Sequence, residues 1–156
     1  MLRNWGMTTV FEAAGGMDAM RRLAGAWHER AVVAPIVGHA FSHGFRADHV
    51  ERLAAYLAEA LGGPEAYTER YGGESDVVRL HSGNGPHEEM DAEAIAIFDE
   101  AVEHSGLPED PALRSTLKAY WAWATRTTMA AHPASADDVP KGLTIPRWSW
   151  EGPVGH

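Results

Sequence analysis

The sequence contains no cysteine, and this absence removes several classes of site at once. Without thiolates the chain can form no disulfide, no iron–sulfur cluster, no cysteine-ligated zinc site and no thiol nucleophile. Basic charge is also scarce, because 22 acidic residues outweigh 13 lysines and arginines and give a formal net charge of -9. Nucleic acids and anionic membranes are bound by basic faces, so we expect neither as a partner.

Long apolar runs are missing as well. No stretch reaches the length of a signal-peptide core or a membrane-spanning helix, so the cytoplasm is the expected compartment. The length of 156 residues suits one domain, which at this size buries roughly 70% of its unfolded surface. Histidine and tryptophan are abundant, with nine and six residues respectively. Such a chain can enclose a cofactor held by nitrogen ligands.

Hydrophobic spacing predicts an all-α protein, since no segment alternates as a half-buried strand does. A capping box begins the first helix at Thr9, and glycine pairs end the first and third helices. We expect helices over about residues 9–14, 18–33, 47–61, 64–71, 75–81, 86–104 and 111–132. The chain thus divides into a lead-in, a helical domain and a tail that packs irregularly on the body or at an interface, over residues 1–8, 9–133 and 134–156.

One histidine stands at an unusual place. In the stretch DVVRLHSGNGP, His81 closes a short apolar helix just before a loop. A neutral imidazole there can bind a metal while its other nitrogen donates to a carbonyl at the helix end. It can equally be a half-buried histidine that serves only its own helix end. Position alone leaves both interpretations open.

Three stretches together resemble the truncated haemoglobins, and group II of that family in particular. These are FEAAGG at Phe11–Gly16, LGGPEAYTERYG at Leu61–Gly72, and VVRLH, which ends on His81. The resemblance covers about residues 9–132. It implies a truncated globin fold, a sandwich of two helices over two, enclosing one haem b. It also implies that His81 is the axial ligand to the haem iron and that the opposite side is open to a small ligand.

Two histidines are expected on the distal side. His49 and Leu53 are four residues apart on the third helix, so they point the same way. His49 falls where globins place the distal residue, and it could donate to dioxygen or act as a general acid on peroxide. The alternative is a solvent gate that swings outward. His28 follows the aromatic Trp27 and stands where group II members usually carry tyrosine.

Three other positions shape the expected distal wall. Phe41 matches the aromatic residue that wedges the haem at the corner, where tyrosine is common in the group. Ala94 replaces a large tryptophan of group II and so vacates space. Trp121 or the tail tryptophans could fill that space. If nothing fills it, the cavity is wide enough for a substrate larger than a diatomic gas.

Cations and a tyrosine are candidates for contact with the haem propionates. Arg52 lies beside Leu53, and Arg79 lies two residues before His81. Each is either a propionate partner or a plain surface arginine. Tyr67 either orients the loop or a propionate, or is a structural aromatic residue.

The expected function is reversible binding of dioxygen or a related diatomic ligand by a haem globin. Turnover of peroxide or nitric oxide, which would make the protein a haem-dependent oxidoreductase, is left open. The expected partners are a diatomic gas or a small oxidant, with a homodimer and an unidentified reductase left open.

Two other functions stay open on the sequence. A non-haem metal site could use the histidines at 39, 43 and 49, although Gly44 and the turn-rich composition argue against the regular helix that a His-x-x-x-His pair needs. Carboxylates at 88, 89, 91 and 93 could serve a di-iron bundle, but such bundles favour a Glu-x-x-His spacing that is missing here. A globin-shaped interaction module without haem is the other alternative.

Overall fold

The computed structural model describes residues 8–154, in which seven α-helices confirm the all-α class. The helices are α1 Val10–Ala14, α2 Met17–Ala31, α3 His49–Ala60, α4 Ala66–Arg70, α5 Glu74–Leu80, α6 Glu88–His104 and α7 Pro111–Trp123. Short 3₁₀ turns span Val37–Phe41 and Ala136–Asp138. Most of the expected lead-in lies outside the described residues.

Local sequence explains the first helix. The Thr9 hydroxyl accepts from the Glu12 amide at 3.1 Å, which is the N-cap bond of a capping box, and it also donates to the Glu12 carboxylate at 3.1 Å. Gly15 then ends α1 with φ of 119°, in the left-handed region that glycine adopts without strain. The expected beginning and end of this helix are confirmed.

The last helix differs from the expectation of one α-helix over residues 111–132. Regular α-helix ends at Trp123, and a π-helical segment follows over Ala124–Met129. In this segment the hydroxyls of Thr127 and Thr128 donate to the carbonyls four residues earlier, at 2.6 and 2.7 Å. Such side-chain donors compete with the backbone amides for those carbonyls and loosen the helical turn. Hydrophobic spacing does not register this change.

The core lies where two helix pairs meet. Helix α2 packs against both α3 and α6, and α6 packs against α7. The largest fully buried side chains come from all four of these helices, and they include Met20, Leu23, Leu57, Phe98, Leu113 and Leu117. The apolar stripes of the individual helices are therefore buried in one shared core.

The tail packs on the body. Trp148 is buried, its ring centroid is 5.9 Å from that of Tyr120, and its indole donates to the Thr116 hydroxyl at 2.9 Å. The Trp150 indole donates to the Thr8 carbonyl at 2.8 Å. The expectation of no strand is wrong here. Trp148–Ser149 pairs antiparallel with Gly152–Pro153, and two residues per strand are too few to produce an alternating pattern.

No helix within residues 8–154 combines the length and the apolar character needed to cross a bilayer.

Replacement of the tail tryptophan tests whether the tail stabilises the domain. We expect Trp148→Ala to lower the free energy of unfolding by about 3–5 kcal/mol, because it removes a buried indole and leaves a cavity. Val154→Ala, at an exposed tail position, is the matched control and should change stability by less than about 0.5 kcal/mol. Denaturant unfolding measures both, and equal stability of the two variants would contradict a structural role for the tail.

Candidate functional site

Helices α3 and α5 are neighbours, and several of the expected site residues border the space between them, which we call the cleft. On α3, His49 and Tyr56 are seven residues apart and share one face. The same spacing separates Glu74, the first residue of α5, from His81, the residue that caps its C-terminal end. The Tyr56 hydroxyl donates to a Glu74 oxygen at 2.6 Å. His49 and His81 lie at the opposite ends of these two faces, roughly 10 Å by helical rise from Tyr56 and Glu74. His81 is close enough to His49 to contribute to the lowering of its pKa, which desolvation mainly causes. The two helices therefore run antiparallel, with the pair of histidines at one end of the cleft.

His81 has a defined ring orientation. Its Nδ1 lies 2.8 Å from the Val77 carbonyl oxygen, which can only accept, so Nδ1 carries the proton. Desolvation lowers the pKa of His81; the hydrogen bond to the Val77 carbonyl opposes this shift, and the nearby His87 adds to it. The ring is therefore neutral at pH 7, and its Nε2 has a free lone pair with no hydrogen-bond partner among residues 8–154. The side chain is nevertheless accessible, which is the combination expected of a ring that faces a cavity.

The two expected distal histidines are in direct contact. The Nδ1 atoms of His28 and His49 are 2.7 Å apart. Desolvation is the main cause that lowers both pKa values, and the charge of His28 lowers that of His49 further. Both rings are therefore neutral at pH 7, so one Nδ1 donates and the other accepts. The Nε2 atoms then have opposite roles, since one carries a proton and the other has a lone pair.

Two phenylalanines enclose this pair. The Phe41 ring centroid is 5.8 Å from that of His28 and 5.4 Å from that of His49. Phe45 was not among the expected site residues, yet its ring meets His28 edge-on at 4.5 Å. The signal available in the sequence was its place in the same turn-rich, histidine-bearing stretch as Phe41. The aromatic rings supply the low-polarity surroundings that keep the imidazoles neutral.

Large indoles lie close to Ala94. The Trp27 indole donates to the Ala94 carbonyl at 3.1 Å, and its ring centroid is 5.2 Å from that of Trp121. Trp121 is stacked on Phe98, one helical turn after Ala94, with centroids 4.2 Å apart. The tail tryptophans pack elsewhere. Of the two expected sources for filling the space at Ala94, Trp121 is the one that lies in its neighbourhood.

The two candidate arginines already have ion-pair partners in the protein. Arg52 donates to Asp48 at 3.0 Å, and it lies near enough to Tyr67 for its charge to oppose the rise in the pKa of Tyr67 that burial causes. Arg79 donates to Asp76 at 3.1 Å. Both ion pairs are partly exposed, which makes them weak enough to exchange for another anion.

The residues suggested for a non-haem metal do not assemble. Within the part of the chain that the structure describes, no three histidine, aspartate or glutamate side chains come together to hold a metal ion. His39 and His43 are exposed. Glu93 instead accepts from the backbone amides of Ile36 and Val37, at 3.0 and 2.7 Å.

Sequence comparison assigns the family. A model of the bacterial-like globin family matches residues 9–125 of this chain, which is most of its length. The chain belongs to the bacterial-like globin family. No curated protein matches the sequence of this globin significantly.

Solved structures confirm the truncated globin fold. A haemoglobin from the thermophilic phototrophic bacterium Chloroflexus aurantiacus is 25% identical, with a TM-score of 0.66 over 78% of this chain and 97% of that one. A thermostable haemoglobin from Thermobifida fusca is 25% identical, with a TM-score of 0.65 over 80% and 98%. The group II truncated haemoglobin of Bacillus anthracis is 20% identical, with a TM-score of 0.67 over 81% and 93%. At that identity the last supports the fold, and membership of group II stays a prediction.

This globin contains a buried acid on α5 that is not among the expected site residues. Glu74 is only 2% exposed, and one of its carboxylate oxygens is buried without a hydrogen-bond partner among residues 8–154. Burial raises its pKa to about 7, while the hydrogen bond from Tyr56 opposes the rise and the charge of Glu59 adds to it. The available signal was its position seven residues before His81 on the same helical face.

The buried acid predicts a specific pH dependence of stability. The folded-state pKa lies above the unfolded value of 4.5, so the contribution of Glu74 is most favourable below pH 4.5 and is lost as the pH rises to about 7. We expect Glu74→Gln to raise the free energy of unfolding at pH 8 by up to about 3 kcal/mol, and to leave it nearly unchanged at pH 4.5.

Urea unfolding at several pH values measures the difference between the two proteins. Glu109→Gln, at an exposed loop position, is the control and should show no such difference. A gap between wild type and Glu74→Gln that is the same at every pH would contradict the burial argument.

Proposed function

We propose that this globin binds one haem b in the cleft between α3 and α5, with His81 as the axial ligand of the iron. The observation that carries the proposal is the Nδ1 hydrogen bond from His81 to the Val77 carbonyl, since it leaves Nε2 neutral and free. When bound, haem supplies an iron centre that takes up dioxygen or a related diatomic ligand and can be oxidised by peroxide. The family is one that binds diatomic gases.

The other residues of the cleft suit such a group. Phe41 and Leu53 are partly buried and pack against the core, so they offer apolar surface to a flat macrocycle. The indole nitrogen of Trp121 is buried without a partner among residues 8–154, so its N–H is a donor still available to a ligand. Arg52, Arg79 and Tyr67 are the candidates to hold the propionates, and the two arginines can exchange carboxylate partners that solvent already screens.

The distal pair would act on the small ligand. In the neutral pair one Nε2 donates a hydrogen bond, which stabilises partial negative charge on dioxygen. The other Nε2 can accept a proton, so the pair offers an acid and a base together, as peroxide cleavage requires. When acid protonates the pair, His28 and His49 both become donors at Nε2. The contact between the neutral imidazoles of His28 and His49 is the observation that favours peroxide turnover as a second candidate function.

We place the protein as a divergent member of group II. The divergence lies at His28, Phe41 and Ala94, where hydroxyl donors or a large indole are replaced. With Trp27 and Trp121 near Ala94, dioxygen and similar diatomics are the ligands we favour, and room for a larger substrate depends on how far these indoles move.

Removal of the axial histidine tests the proposal. We expect wild-type protein expressed with haem available to show a Soret band. His81→Ala should lose most of this band, because α5 contains no histidine that could replace the ligand. Added imidazole should restore the band. His104→Ala, at an exposed position at the end of α6, is the control and should retain it. Equal haem content in His81→Ala and wild type would exclude His81 as the ligand.

The distal pair makes a separate prediction for the loaded protein. We expect His49→Leu to speed dioxygen dissociation roughly 10- to 100-fold, because a hydrogen bond to a charged acceptor contributes about 1.5–3 kcal/mol. His28→Leu should have a smaller effect if it acts only through His49. Stopped-flow displacement of dioxygen by carbon monoxide measures both rates. Unchanged rates in His49→Leu would show that the imidazole faces solvent as a gate.

A further inference from the structure

Tyr56 and Glu74 form a buried pair that the proposed function does not use. Their hydrogen bond is 2.6 Å long, and the two residues are 7% and 2% exposed. The second Glu74 oxygen has no partner among residues 8–154, which is costly for a buried carboxyl group. An apolar pair of similar shape would pack there without the penalty, so stability alone does not account for this pair.

The pair lies in the same cleft as the histidines. Tyr56 shares the face of α3 with His49, and Glu74 shares the face of α5 with His81. Each is roughly 10 Å along its helix from the histidine, by the helical rise. The pair therefore closes the far end of the cleft in which we place the haem.

Tyr56 is the one tyrosine of the four with a carboxylate as proton acceptor, and all four lie within the described residues. Burial raises the pKa of Tyr67, and the nearby charge of Arg52 opposes this rise. Tyr71 lies under two guanidinium groups, with Arg52 4.6 Å and Arg70 5.8 Å from its ring centroid. Nearby cations disfavour oxidation of a phenol, whereas a hydrogen-bonded carboxylate favours it by taking the proton. Of the four tyrosines, Tyr56 therefore has the surroundings that most favour oxidation.

We infer that Tyr56 is a redox-active residue, and this inference rests on the haem binding proposed above. When hydrogen peroxide oxidises the haem, Tyr56 gives one electron to the haem and its hydroxyl proton to Glu74. Hydrogen peroxide takes up two electrons and two protons as it becomes two molecules of water. One electron comes from the haem and the other from Tyr56, and both protons come from solvent. The phenolic O–H bond breaks, an O–H bond forms on the Glu74 carboxylate, and a neutral tyrosyl radical remains.

The acceptor must be ionised for this transfer. Burial raises the pKa of Glu74 to about 7, and the ionisable groups that face it are Tyr56 and Glu59 on α3 and Tyr120 on α7. The carboxylate form dominates above that pH and the acid form below it. The yield of radical should therefore rise with pH through about 7.

Freeze-quench electron paramagnetic resonance tests the inference. Ferric haem-loaded protein is mixed with hydrogen peroxide and frozen within milliseconds, with ring-deuterated tyrosine used to separate tyrosyl from tryptophanyl signals. We expect a tyrosyl signal in the wild type that Tyr56→Phe abolishes. Glu74→Gln, which can still accept the hydrogen bond but cannot take the proton, should lower the yield about tenfold at pH 8. Tyr71→Phe is the matched control and should keep the full signal.

A second readout needs no haem. The infrared band of a protonated carboxylic acid in haem-free protein should disappear as the pH rises through about 7, and it should be absent in Glu74→Gln. Its absence from the wild type at pH 5.5 would overturn the acceptor role of Glu74.

The outcomes separate the two proposals. A protein that loads haem and consumes peroxide, but forms no tyrosyl radical or keeps it in Tyr56→Phe, overturns this inference and leaves haem binding intact. A protein that takes up no haem through any of its histidines overturns both.

Discussion

The hydrogen bond from His81 Nδ1 to the Val77 carbonyl is the constraint on which the site depends. It fixes the ring orientation and the tautomer together, and desolvation keeps the ring neutral. A helix that ends at His81 makes this possible, because its last carbonyls have no amide partner further along the chain. If α5 continued for another turn, the Val77 carbonyl would be taken by the backbone.

The cleft carries polar groups at both ends. The imidazoles of His28, His49 and His81 lie at one end, and the buried Tyr56–Glu74 pair lies at the other. Both groups are desolvated, so neither keeps its ordinary proton affinity. Proton donors and acceptors therefore surround the space where we place the haem. This is the physical reason to consider redox chemistry as well as gas binding.

Much of the fold follows from local patterns in the sequence. The capping box at Thr9, the apolar stripe of each long helix and the glycines that end them specify the helices and their order. The place of His81 at a helix end is also evident, because an apolar run stops at a glycine-rich loop. These features depend on residues within a few positions of each other, which is the range that periodicity reports.

The remaining features depend on contacts between distant segments. The meeting of His28 with His49, and of Tyr56 with Glu74, requires the packing of separate helices. The burial of Glu74 is unexpected because acidic residues at a helix start are ordinarily solvated. The π-helical turn contains two threonine hydroxyls that donate to backbone carbonyls. The tail is held on the body by the buried ring of Trp148, which donates to Thr116. None of these has a periodic signature.

Resonance Raman spectroscopy of the ferrous haem-loaded protein tests the central claim most directly. The account predicts an iron–histidine stretching band that shifts with iron isotope, and that lies at the frequency of an imidazole whose Nδ1 donates to a neutral carbonyl. A ferrous protein with no such band, or one in which the band survives when His81 is replaced by alanine without added imidazole, would contradict the assignment of His81 as the axial ligand.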